Sequence, residues 1–515
     1  MIIFFDRTSP WEGKTSIYAY IREKGDAVDD TLPDDEEFWA GSRIRWVAGG
    51  MDGVFAAGAD SQNKDEIRKL VQLLAKHSRK PKFYTRKQLY SMIMSLNLIG
   101  MIDDVLDEAR KHPGMNPQKV FEEAVWMVEH AAHRNVVKFG IALLGLFPNE
   151  QVKELLLTIG AHEEFTLYAA VAILNGMENG NDVLFELAKR VHGWGKIHVV
   201  RRLEPSRQEI RDWLLRHGCQ NNIMNEYLAC VCARKGDLRG AVSAERVDEE
   251  LFEGATIIVE ALLNGGPAED IDDYEHAPQV ISDYVRLAGA MSVSVKHLYT
   301  LIRIRDFLAA EDDERWAKRL SSNWSGELKD GSLEACRKII ARPDWADVVI
   351  RAVQSGDWYG IRCAHALGLD VWDLLFAQLA ENPMQEWLYF ELMQSEDPVR
   401  IRKLVQFAEE KLPLGKIATG PAEEMGLGQE YEPHRCLDYV LQELHRHEGI
   451  GEALILAALR SPVVRNRYLA VKALEDWDLS SWGKRLIDEV VRLSEIEPDE
   501  TVMEHLRNLR SAKGI

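Results

Sequence analysis

At 515 residues the chain exceeds the about 250–300 residues at which a single hydrophobic core stops growing, so several domains or a repeat array are expected. With 46% apolar and 28% charged residues, global disorder is excluded. A net charge of −20 repels phosphate backbones and anionic lipid, which argues against nucleic-acid and membrane partners and identifies no other.

Residues 1–60 read as a small β-containing N-terminal domain. Short strands are expected at Ile2–Phe5, Ser16–Ile21, Arg43–Ala48 and Gly53–Ala57, with Gly49–Gly53 as a hairpin loop. The apolar opening Met1–Phe5 lacks a basic flank and stops at Asp6 and Arg7, so no signal peptide is expected. No run reaches the ~18–20 apolar residues needed to span a bilayer. The best, Val136–Phe147, is short and contains Lys138. A soluble, cytoplasmic protein is therefore expected. Six sparse cysteines, Cys219, Cys230, Cys232, Cys336, Cys363 and Cys436, read as reduced thiols rather than a disulfide framework.

From about Lys64 the period becomes helical. In Asp65–Lys76, residues Ile67, Leu70, Val71 and Leu74 fall on one face at i, i+3, i+4, i+7. Comparable stretches run to the C-terminus, joined by short turns such as Phe147–Asn149 and Ser461–Pro462. Pairs recur at roughly 35–45 residues, the spacing of HEAT and armadillo units. Ser461–Leu474 resembles the second helix of a HEAT repeat, with a turn proline before valine, arginine, alanine and leucine; Asp397–Leu404 is a looser echo. The fold expected is mostly α: a solenoid of HEAT-like helical pairs over residues 64–411, a Gly/Pro-rich loop over 412–433, and C-terminal HEAT-like helices over 434–515.

Motifs that carry chemistry are few. Thr8–Thr15 ends in Gly13-Lys14-Thr15 and approximates a P-loop, in which backbone amides and a lysine wrap phosphate. Thr8 replaces the first glycine and Pro10 removes an amide, so Gly13, Lys14 and Thr15 read either as a degenerate nucleotide site or as a surface turn. The full G-x-G-x-x-G fingerprint is absent, and Tyr20 with Lys24 lacks the upstream dinucleotide domain that pairing needs. His130 and His133 share a helix face, but no third ligand is evident; His162 and Glu164 are in the same position, and no metal is expected. Most of the fourteen tryptophans sit on or beside helices as packing residues.

Two segments, Met1–Thr15 and Ile197–Cys219, carry a likeness that extends over the whole chain: it resembles the bacterial limonene hydroxylases. The resemblance implies a monooxygenase and alcohol dehydrogenase, oxidising the monoterpene limonene to carveol and perillyl alcohol, and these with NAD to carvone and perillyl aldehyde. It transfers no catalytic residue. The residues taken alone suggest a non-catalytic solenoid scaffold, binding a protein or peptide along a concave face.

Overall fold

The computed structural model describes residues 9–25, 31–42, 44–55 and 64–515. The chain is 70% helical, and among the described residues no strand occurs. The mostly-α expectation holds, and the β-containing N-terminal domain is corrected. Ser16–Ile21 is helical: α1 spans Ile17–Lys24, and the Ser16 hydroxyl caps it by accepting from the Ala19 amide at 3.1 Å. Ile17 and Ile21, which fit an alternating pattern equally well, are its two buried residues at i, i+4. After α2 (Asp35–Phe38), residues 44–47 form no regular element and are exposed. The hairpin expected at Gly49–Gly53 is instead the start of α3 (Gly50–Phe55). Its glycines permit close approach: Gly49 sits at φ +70, and a Cβ on Gly53 would lie 2.3 Å from the Trp194 ring. Ile2–Phe5, Arg43 and residues 56–57 lie outside the described residues.

Beyond them the helical period is realised. Helix α4 (Lys64–Arg79) buries Ile67, Leu70, Val71 and Leu74, with Asp65 and Glu66 at its positive N-terminal end and Lys76, His77 and Arg79 at the other. It packs on α5 (Phe83–Met94), α6 (Ile102–Lys111) and α7 (Pro117–His130). Asn116 caps α7, and Pro117 occupies its first turn. Helix α8 (Arg134–Leu144) is buried nearly all round, as its apolar sequence requires, and packs against α7 and α10 (Glu163–Gly176). Helices α9 (Lys153–Gly160), α11 (Gly180–Ala188) and α12 (Gly193–Arg202) flank α10.

By compactness the chain divides into residues 1–292 with 303–339, and residues 293–302 with 340–515. In the second unit, the helices Glu386–Met393, Glu432–Leu444, Val464–Asp476 and Glu500–Lys513 pack successively on one another. Pro398–Lys411, Glu452–Leu459 and Lys484–Ile496 form a second succession. The Gly/Pro-rich segment 412–433 lies within this unit. It is tied to the Arg460–Val464 turn by backbone bonds from Gly420 to Arg460 (2.7 Å), Glu424 to Pro462 (3.2 Å) and Val464 to Glu424 (3.1 Å).

Between these helices, Asn466 donates to buried Asp438 at 2.6 Å, and His434 meets Ser461 and Asn466. Burial raises Asp438 to about 6, against the pull of Asn466 and Arg465. That lies above the about 3.9 of an unfolded aspartate, so the native state holds the proton more tightly and stability falls between about pH 4 and pH 6. His434, held below its ordinary value by burial, works in the opposite sense. The difference between Asp438→Asn and the parent protein therefore isolates Asp438. Chemical denaturation across about pH 4–7 is expected to show the variant gaining roughly 1–3 kcal/mol relative to the parent as pH rises. A constant difference would place the proton elsewhere.

Candidate functional site

Helix α8 carries two cations one turn apart, Arg134 and Lys138, each with a side chain only 3% exposed. Charges this deep need partners, because desolvation costs several kcal/mol per ion. The N-terminal segment and α10 supply them. Lys138 Nζ lies 2.6 Å from both Asp52 of α3 and Glu164 of α10. The backbone amide of Arg134 donates to Asp34 at 2.8 Å, and its guanidinium forks onto Asp34 at 2.9 and 3.2 Å and reaches Asp35. Glu164 also accepts from the Gly49 amide at 3.0 Å. Burial opposes the charge of Lys138, but Glu164 and Asp52 outweigh it and hold the ammonium charged. Burial likewise opposes ionised Glu164, and Lys138 with Arg134 override it, keeping the carboxyl below its ordinary value. At Asp52 burial wins over Lys138, and the carboxyl is raised.

This network forms one wall of a chamber of about 360 Å³, near the small end of the range for ligand pockets. Glu37, Asp52, His133, Lys138 and Tyr168 give it a polar side; Met51, Met94, Leu96, Leu98 and Ile99 give it an apolar one. Asn135 shapes the apolar side by donating to the carbonyls of Met94 (3.3 Å) and Leu96 (2.8 Å). Tyr168 from α10 is 5% exposed, and its hydroxyl has no hydrogen-bond partner among the described residues. A buried hydroxyl without a partner carries a desolvation cost of about 1–3 kcal/mol. Burial raises the pKa of this phenol well beyond its ordinary value, so it acts as a neutral donor rather than a phenolate.

Lys14 reaches the same region. Its ammonium meets Glu37 and lies 3.0 Å from His133 Nε2, while His133 Nδ1 is 2.6 Å from the Tyr90 hydroxyl. Burial, then the Lys14 charge, lowers the His133 value and favours the neutral ring. Gly13 turns at φ +76, and Thr15 is exposed. Three amides of the loop are used within the chain: Ser9 donates to the Glu12 carboxylate, Glu12 to the Ser9 carbonyl and Lys14 to the Trp11 carbonyl. With those donors occupied, Lys14 neutralised and an acidic wall beside it, Gly13, Lys14 and Thr15 do not fit the pyrophosphate of NAD.

Of the remaining sequence candidates, only His133 lines the chamber. His130 is exposed beside Glu129, whereas His133 is buried. No group of three metal-ligating side chains occurs among the described residues. None of the six cysteines is disulfide-bonded and all are buried, and burial pushes Cys232 up to about 12, far from a reactive thiolate. Asp52, Lys138 and Tyr168 were not legible as site residues. Lys138, an isolated cation inside an apolar helical run, was the available signal.

Comparison with protein-family models finds none that matches the chain, and comparison with curated proteins finds no match.

Proposed function

We propose that the chamber receives a compact amphipathic alcohol, and that the chain acts on limonene-derived alcohols such as carveol and perillyl alcohol. The unpartnered, buried Tyr168 hydroxyl supports this reading above all. It stands ready to donate to a ligand oxygen, Asp52 offers an acceptor, and the methionine and leucine side chains take a hydrocarbon ring. The ion pairs of α8 hold that polar wall in place before the ligand arrives. Since Gly13–Thr15 does not fit NAD, no hydride step follows from these residues, and limonene hydroxylation would draw its oxidant from a cofactor bound elsewhere or by a partner.

Calorimetric titration tests the binding half of the proposal. Carveol is expected to bind, and Tyr168→Phe to weaken it about two- to tenfold, the worth of one neutral hydrogen bond. Limonene, which has no hydroxyl, should be unaffected by the same change. An equal loss for both ligands, or no carveol binding, would sink the proposal. Carveol-dependent reduction of NAD tests the oxidative half separately.

A second reading, a HEAT-like solenoid that binds a partner, is supported by the two helical successions of the second unit. There Met425 and Leu427 are 63% and 61% exposed, and Met425 lines an open groove of about 380 Å³ with Tyr468 and Arg465. A protein that binds no monoterpene alcohol would leave this reading standing.

A further inference from the structure

A second cavity, of about 390 Å³, lies between α6, α8, α10 and the end of α12. It shares only Ile99 and Tyr168 with the chamber. Ile102, Leu106, Leu146, Leu167 and Val171 make most of its wall apolar. Two acids also line it. Asp107 is answered by Arg110 at 3.9 Å, and Asp103 sits in the first turn of α6, where the helix dipole favours a negative charge. The remaining cation is Arg202, the last residue of α12. It is half-buried and makes one hydrogen bond, from Nη1 to the His198 carbonyl at 3.0 Å. Among the described residues no carboxylate lies within ion-pair distance of it. Burial, then neighbouring Arg201, lowers its affinity for its own proton, which marks a charge the chain itself leaves uncompensated.

We propose that this cavity is a binding site for an amphipathic monocarboxylate, with the carboxylate on Arg202 and the hydrocarbon along α6 and α10. A guanidinium presents two parallel N–H donors that match a carboxylate, and it retains most of its five donors here. The apolar wall, which includes the 37% exposed Val171, supplies burial for a chain or ring. Lipid-derived and terpene-derived acids share this chemistry. The site uses a different cation and, apart from the shared Ile99 and Tyr168, a different wall from the alcohol chamber, and its test does not depend on alcohol binding there.

Calorimetry with octanoate and with 1-octanol tests the assignment on the full chain. Octanoate is expected to bind more tightly than octanol. Arg202→Gln should weaken octanoate about tenfold or more, the loss of a charge-assisted hydrogen bond, and leave octanol unchanged; Arg202→Lys should restore part of it. Octanoate binding no tighter than octanol, or indifferent to Arg202→Gln in a variant with the parent's melting temperature, would overturn the site. Should Arg202→Gln fail to fold, the octanoate-to-octanol ratio of the parent protein decides. Cyclohexanecarboxylate and octanoate in parallel distinguish a ring-bearing from a chain-bearing acid as the preferred occupant.

Discussion

Lys138→Ala is expected to cost the first unit about 3–5 kcal/mol, because it leaves Asp52 and Glu164 buried together with no cation between them. The loss is larger than that of a surface ion pair, worth at most about 1 kcal/mol, since the Lys138 side chain is 3% exposed and its partners 4% and 8%. It has a pH signature. Glu164 is held below its ordinary carboxyl value in the parent protein, so the stability it contributes is present above the unfolded value and lost as pH falls toward the folded one. Without Lys138 that depression shrinks to what Arg134 and the Gly49 amide supply, and the gap between variant and parent should narrow on acidification. Equilibrium urea denaturation at neutral and acidic pH measures both effects. Lys138→Met with Asp52→Asn and Glu164→Gln should recover much of the loss, because neutral hydrogen-bonding groups need no counter-charge. A cost below about 1 kcal/mol for Lys138→Ala would mean that water reaches the network. The same variant should weaken carveol binding, since α3 is held to α8 through Asp52 and carries the Met51 wall of the chamber.

In the second unit, Arg467→Ala is expected to cost a similar about 3–5 kcal/mol. The side chains of Arg467 and Glu497 are both 0% exposed and meet bidentately at 2.7 and 2.6 Å, while the remaining guanidinium arm donates to the Ser461 carbonyl at 2.8 Å. The pair joins the helix Val464–Asp476 to Glu497, just past the end of Lys484–Ile496. Arg467→Lys should rescue little, because an ammonium cannot reproduce two parallel donors and a third at the angles observed. Arg467→Met with Glu497→Leu should be far milder than either single change that strands a charge. Thermal denaturation of the four proteins, analysed as a double-mutant cycle, reads the coupling directly. Near-additive losses would show that the two side chains do not act on one another.

Both predictions concern residues that were visible in the sequence without their partners. Arg467 is one of two arginines in the stretch Ser461–Leu474, and the helix there is as expected, with Ala470, Val471, Ala473 and Leu474 buried. Glu497 carried no mark at all. In the sequence Lys138 is only a charge interrupting an apolar run, and Glu164 only a neighbour of His162. Elsewhere the period misled: Ile17, Ala19 and Ile21 alternate like a strand, yet Ile17 and Ile21 are also one helical turn apart.

What the sequence determined by itself was local. The repeat of apolar side chains every 3.6 residues, the cap at Asn116 and the turns at Gly and Pro specify helices, because each rests on interactions within a few residues. Only the tertiary structure decided the site. The bond from Lys138 to Asp52 spans 86 residues, that from Arg134 to Asp34 spans 100, and that from Gly49 to Glu164 spans 115. Which acid neutralises which buried cation, and which hydroxyl is left facing a cavity without a partner, depends on how helices pack. Packing is a sum of many weak, non-local contacts that no short motif records.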